Sequence, residues 1–105
     1  MKLKTISLPR LDLLTPTLES TALKLMEEAG ELAQAIGKLR GMSGERVQYS
    51  ESETVDQIMK ELMDVAQTAV SMMYVMEESY GVDIEEILSE HINKLRRKGY
   101  LGSID

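Results

Sequence analysis

With 105 residues and no cysteine, the chain is long enough for one compact domain and excludes disulfides and thiolate metal sites. A formal net charge of −6 argues against a stable nucleic-acid complex, which needs a basic surface, but leaves room for a small phosphorylated ligand held by a metal and local cations. Hydrophobic residues make up 43%, yet there is no Phe or Trp and Met occurs eight times, so aliphatic and thioether side chains must fill the core.

Residues 1–14 alternate weakly like a strand from Lys2 to Leu8, until Pro9 interrupts; Arg10 to Leu14 suits a short helical turn. The segment reads as an arm that packs on a neighbour. No apolar run after Lys2 and Lys4 is long enough for a signal peptide or a membrane span, so a cytoplasmic protein without a membrane partner is expected. Thr15-Pro16 marks a helix start, with Pro at the first helical position. Leu18, Ala22, Leu25, Ala29, Leu32, Ile36 and Leu39 then form an apolar stripe, ended by Gly41 and Gly44. Glu28 lies beside the stripe, Glu31 further round the same flank, and Glu27 nearly opposite. Gly30 sits mid-helix at a cost of about 1 kcal/mol relative to Ala, which close approach of another helix would explain.

Gly41 to Glu51 reads as a polar loop. Ser50 and Glu53 form a capping box for a second helix, whose stripe is Ile58, Leu62, Val65, Ala69, Met72 and Met76. Glu61, Asp64, Thr68 and Ser71 border it, and Gly81 stops the helix after Tyr80. Asp83 with Glu86 caps a third helix carrying Ile84, Ile87, Leu88, His91, Ile92 and Leu95, which Gly99 ends. Residues 99–105 read as a tail, with Tyr100 and Leu101 against the bundle. The expected fold is all-α: one domain over 1–105, a helical bundle completed by homo-oligomerisation, because so small and aromatic-poor a core gives little margin alone.

Glu28 with Glu31, and Glu61 with Asp64, each set two carboxylates three residues apart on one side of a helix. Two such helices side by side would point four acidic oxygen donors into one space. Such donors repel one another unless a hard divalent ion such as magnesium neutralises them. The competing reading is a solvated acidic face. A di-iron bundle would need Glu-x-x-His pairs, and the single His91 has no Glu three residues before it; it reads as packed at a helix interface. Gly41-Met42-Ser43-Gly44 lacks the Lys-Ser or Lys-Thr of a phosphate loop. Lys94, Arg96, Arg97 and Lys98 close the third helix just after Asn93, either as favourable charge at a helix end or as a phosphate clamp.

Leu25 to Ala33, with Glu27-Glu28-x-x-Glu31, followed by Glu61-x-x-Asp64 and then by Gly81 to Glu86 and Asn93-Lys94, resembles the MazG-like all-α nucleoside triphosphate pyrophosphatases over about residues 18–100. The resemblance implies hydrolysis of a nucleoside triphosphate to the monophosphate and pyrophosphate, a house-cleaning step that removes surplus or non-canonical nucleotides. It implies a dimer or tetramer, and magnesium (or manganese) held by Glu28, Glu31, Glu61 and Asp64. Glu27 or Glu31 would then orient or deprotonate water, while Lys94 and Arg97 offset phosphate charge and Asn93 hydrogen-bonds a phosphate or sugar. Relatives that stack a base on Trp or Phe have no counterpart here: Tyr49, Tyr74, Tyr80, Tyr100 and His91 are the only rings, so the base pocket is unassigned. The alternatives are a non-enzymatic helical interaction protein and a nucleotide- or metal-binding sensor.

Overall fold

The computed structural model describes residues 1–41 and 50–102. Among them are three helices and no strand: α1 (Leu18–Leu39), α2 (Glu51–Tyr80) and α3 (Ile84–Arg97). The weak alternation of Lys2 to Leu8 makes no strand, because no second strand is present to pair with it, and only Asp12 and Leu13 form a turn. The predicted loop at 42–49, with Gly44 and Tyr49, lies outside the described residues.

Local chemistry sets the helix ends. α1 begins two residues after the predicted Thr15-Pro16 start, because Thr17 is the cap: its hydroxyl accepts from the Ser20 amide at 3.0 Å, and the Ser20 hydroxyl accepts from the Thr17 amide at 2.9 Å. Ser50 caps α2 by accepting from the Glu53 amide, and Asp83 caps α3 by accepting from the amides of Glu85 and Glu86. Gly81 ends α2 at φ 65°, a left-handed conformation that costs a residue with a Cβ about 1–2 kcal/mol.

α1 and α2 form an antiparallel hairpin. The start of α1 (Thr21, Lys24) borders the middle of α2 (Asp64 to Ser71), and its end (Ala35, Lys38) borders the start of α2 (Glu53, Thr54, Gln57). The most buried positions fall at multiples of seven residues: Thr21, Glu28 and Ala35 on α1, and Thr54, Thr68 and Val75 on α2, where half-buried Glu61 fills the step between Thr54 and Thr68 and Ser71 lies beside them. A period of seven is the signature of one helix lying along another. The seam is narrow because it is built from small side chains. Its hydroxyls are satisfied by their own helices: Thr21 donates to the Thr17 carbonyl, Thr54 to Ser50, and Thr68 to Asp64. No Cβ built at Gly30 would meet another atom within 4 Å, so close approach inside this chain does not explain that glycine.

Leu18, Leu25, Leu32 and Leu39 on α1, and Ile58, Val65 and Met72 on α2, alternate with the most buried positions and are half-buried, whereas many other large apolar residues are exposed. Leu23 is 74% and Met26 72% exposed, and Ile36, Met59, Leu62, Met63, Met73, Ile87 and Leu88 are exposed as well. α3 buries none of its residues and packs on neither partner as α1 and α2 pack on each other. Its His91 is exposed rather than packed at an interface, because no helix lies over that face, and Tyr100 is exposed too. The radius of gyration is 17.2 Å, where a compact chain of this length has about 13 Å. The accessible surface is 8603 Å², against about 5,900 Å² for a compact monomer of this size. No helix among the described residues is long and apolar enough to cross a membrane.

The α2 helix has 30 residues and α1 has 22, so α2 extends past the start of α1. Residues 9–16 run over that overhang. The Gln67 side-chain amide donates to the Pro9 carbonyl at 2.9 Å, and Arg10 forms a two-bonded ion pair with Glu78 at 2.6 and 3.0 Å.

The reciprocal cap at Thr17 gives a direct test of the α1 start. Thr17→Ala should lower stability by about 1 kcal/mol in a urea titration, while Thr15→Ala should leave it unchanged.

Candidate metal centre and adjoining cavity

Glu28 occupies the centre of the α1 seam line and is 5% exposed. Across the seam is Glu61, seven residues from both Thr54 and Thr68 on α2. Glu31, one turn beyond Glu28, completes a trio: one carboxylate oxygen from each of Glu28, Glu31 and Glu61 lies within 4.8 Å of the other two. The spacing of three on α1 and the antiparallel pairing with α2 together produce this convergence.

The trio is only half satisfied. Lys24, four residues before Glu28, donates to its Oε1 at 2.9 Å and reaches Glu27 Oε1 at 3.7 Å. Gln57, four residues before Glu61, donates to its Oε1 at 2.6 Å. The Oε2 atoms of Glu28 and Glu61 are both buried and have no partner among the described residues. An unmet buried carboxylate oxygen costs free energy, and a second carboxylate beside it adds to the cost. An all-oxygen donor set with unused buried lone pairs fits a hard divalent cation. The Glu31 carboxyl is held above its ordinary value, first by the charge of Glu28, then by partial desolvation and by Glu61. The Lys24 ammonium is raised above its ordinary value by its hydrogen bond to Glu28 and by the charge of Glu27.

The other sequence-derived residues are placed differently. Asp64 is exposed and stands outside the trio, at the edge of a cavity that Glu28 also lines. Glu27 is exposed and faces Lys24. Asn93, Lys94 and Arg97 belong to α3, are exposed, and line none of the cavities beside the carboxylates; Asn93 accepts from Arg96 at 3.2 Å. Lys24 and Gln57 are absent from the sequence-derived site. Their signal is the four-residue step to Glu28 and Glu61, which puts a donor one turn before each carboxylate.

The cavity has a volume of about 550 Å³ and runs from Glu28 and Asp64 to the arm, where Leu11, Leu14 and Pro16 form its apolar wall. That is within the range of a small-molecule site.

An antiparallel helical pair with carboxylates converging in its seam is an all-α framework built around an acidic centre. The chain belongs to the MazG nucleotide pyrophosphohydrolase domain family, whose model matches residues 16–99. It is also similar to the uncharacterized protein YvdC of Bacillus subtilis (strain 168), with 31% identity over 74 residues, 70% of this chain and 68% of that protein. No solved structure matches significantly.

Because the Glu31 carboxyl returns to its ordinary value on unfolding, the folded state binds that proton more tightly. Stability from this group is therefore present at low pH and lost as pH rises through the raised value. In chelator-treated protein, thermal melting of wild type relative to Glu31→Gln should worsen from about pH 4 upward and level off once the pH passes the raised value. A pH-independent difference would remove the repulsion as its cause.

Proposed function

We propose that this chain hydrolyses a nucleoside triphosphate to the nucleoside monophosphate and pyrophosphate in the presence of magnesium, with manganese able to substitute, as a cytoplasmic step that removes surplus or non-canonical nucleotides. The observation that carries this reading is the pair of buried, unpartnered oxygens on Glu28 and Glu61, within a region matched by the family model. Glu28, Glu31 and Glu61 would hold the cation, with Asp64 joining from the cavity edge. When bound, the ion supplies charge neutralisation and polarises the phosphate.

The chain's own residues do the rest. Water adds across the α–β phosphoanhydride; one product takes its oxygen, and pyrophosphate departs. Glu31, the third member of the trio, accepts the proton of that water, whereas Glu27 stays paired with Lys24. Lys24 exchanges its Glu28 partner for a phosphate oxygen once the carboxylate is otherwise neutralised. Lys94, Arg97 and Asn93 act on the phosphates from α3, which requires α3 of a second copy or a closer approach of its own.

A second copy also accounts for the exposed apolar faces. Leu23, Met26, Met59, Leu62 and Met63 are large side chains on the paired helices, and burying them needs a partner surface, here a homodimer or tetramer. Sedimentation equilibrium should report more than one chain at micromolar concentration. A monomer that is stable across that range would leave those faces unexplained and remove the assembly.

Glu28→Gln and Glu61→Gln should each reduce pyrophosphate release by about a hundredfold or more, with Asp64→Asn and Glu31→Gln close behind, and magnesium affinity should fall in parallel by calorimetry. Stability without magnesium should hold or rise in these variants, because one of several crowded charges is gone. Turnover at the wild-type rate in the Glu28 and Glu61 variants would sink the shared metal centre. Binding of magnesium and nucleotide with no product would assign a sensor instead.

A further inference from the structure

The cavity beside the trio is closed on one side by residues 11–16, a segment without helical or strand structure, and on the other by the small polar residues of the seam. It has an acidic end, at Glu28 and Asp64, and an apolar end, at Leu11, Leu14 and Pro16. A molecule with a charged head and a flat, partly apolar body fits that gradient. No aromatic ring lines it among the described residues.

Two contacts hold the arm in this place. Arg10 is tied to Glu78 through both of its bonds, and Pro9 accepts from Gln67. The Pro9 carbonyl can only accept, so the Gln67 amide nitrogen must face it, and the same nitrogen reaches Ser71 at 3.5 Å. Gln67 Oε1 is left without a protein partner among the described residues, on a side chain that lines the cavity. It is an acceptor for the amino or imino hydrogens that every common base carries.

We propose that this cavity receives the nucleoside of the triphosphate, held by aliphatic contact with Leu11, Leu14 and Pro16 and by a hydrogen bond to Gln67 rather than by aromatic stacking, and that the Arg10–Glu78 pair is a positioning device for its wall. The proposal rests on the triphosphate reading above and deepens it by assigning the nucleoside end. Phosphates lie at the carboxylate end, and the arm meets only the nucleoside. Loosening the arm therefore weakens nucleoside binding and leaves polyphosphate binding unchanged.

The test is a binding experiment on the full chain with magnesium. The probes are the α,β-imido analogues of the five common nucleoside triphosphates and inorganic tripolyphosphate. Burying roughly 60 Å² of apolar nucleoside surface should make at least one analogue about tenfold tighter than tripolyphosphate. Arg10→Gln and Glu78→Gln should each weaken that analogue about two- to fivefold, and tripolyphosphate by less than the experimental error. The charge-swapped pair, Arg10→Glu with Glu78→Arg, should restore the analogue and guards against misfolding of the single variants. Leu14→Ala should act like the single variants. Equal affinity of wild type for tripolyphosphate and every analogue overturns the subsite while leaving the triphosphate reading in place. Parallel loss of both probes in the arm variants also overturns it. Failure of wild type to bind either probe overturns both readings.

Discussion

A carboxylate buried between two helices is the constraint on which the rest of this structure depends. Glu28 sits where the seven-residue rhythm of the seam calls for a small or apolar side chain, as Thr21 and Ala35 supply one turn-pair away on either side. Removing an ion of this size from water costs several kcal/mol even after relaxation. Lys24 meets one of its oxygens, and its nearest acidic neighbours, Glu31 and Glu61, make matters worse. An Ala or Leu at position 28 would pack more cheaply. Stability given up in the middle of an otherwise regular seam marks a place where function overrides packing.

The arrangement of large and small residues follows from the same constraint. Two helices must approach closely for carboxylates on both to converge, and small side chains in the seam permit this. Leu18, Leu25, Leu32 and Leu39 flank that line half-buried, while Leu23, Met26, Met59, Leu62 and Met63 lie on outer faces, where they are exposed in the single chain. α3, attached through the short Gly81–Asp83 joint, carries a concentrated positive charge at its far end and little packing of its own. The extended shape and the large accessible surface go together with one division of labour, in which the hairpin holds the acidic centre and its outer faces stay exposed.

What could be read from sequence was what depends on neighbours within a turn. Ser50, Asp83, Gly81 and Gly99 act locally, and each stands at the end of a helix as its chemistry dictates. Thr15 and Thr17 flank Pro16 almost symmetrically; the reciprocal bond from Ser20 decides between them, and that signal lies further along the chain. The three-residue step that joins Glu28 to Glu31 was legible, but the position of Asp64 at the cavity edge depends on how far α2 is turned toward α1. Half of the seam was legible from hydrophobicity: Leu18, Leu25, Leu32 and Leu39 on α1 and Ile58, Val65 and Met72 on α2 are half-buried along it, but the most buried line between them is largely polar, and no apolar stripe marks Thr21, Glu28, Thr54 or Thr68. The cavity had no signal either: residues 11–16 have no periodicity, and their position rests on Gln67 and Glu78, more than fifty residues away.

The seam threonines bond back to their own helices, and this bears on how such a chain changes over time. Thr21, Thr54 and Thr68 each spend a hydroxyl on the carbonyl four residues earlier, so none of them asks the opposite helix for a matching group. Exchanging one for Ser or Ala needs no answering change across the seam. Among these seam positions, side-chain hydrogen bonding ties neither helix to the chemistry of the other, and it is the carboxylates that oblige α1 and α2 to answer one another.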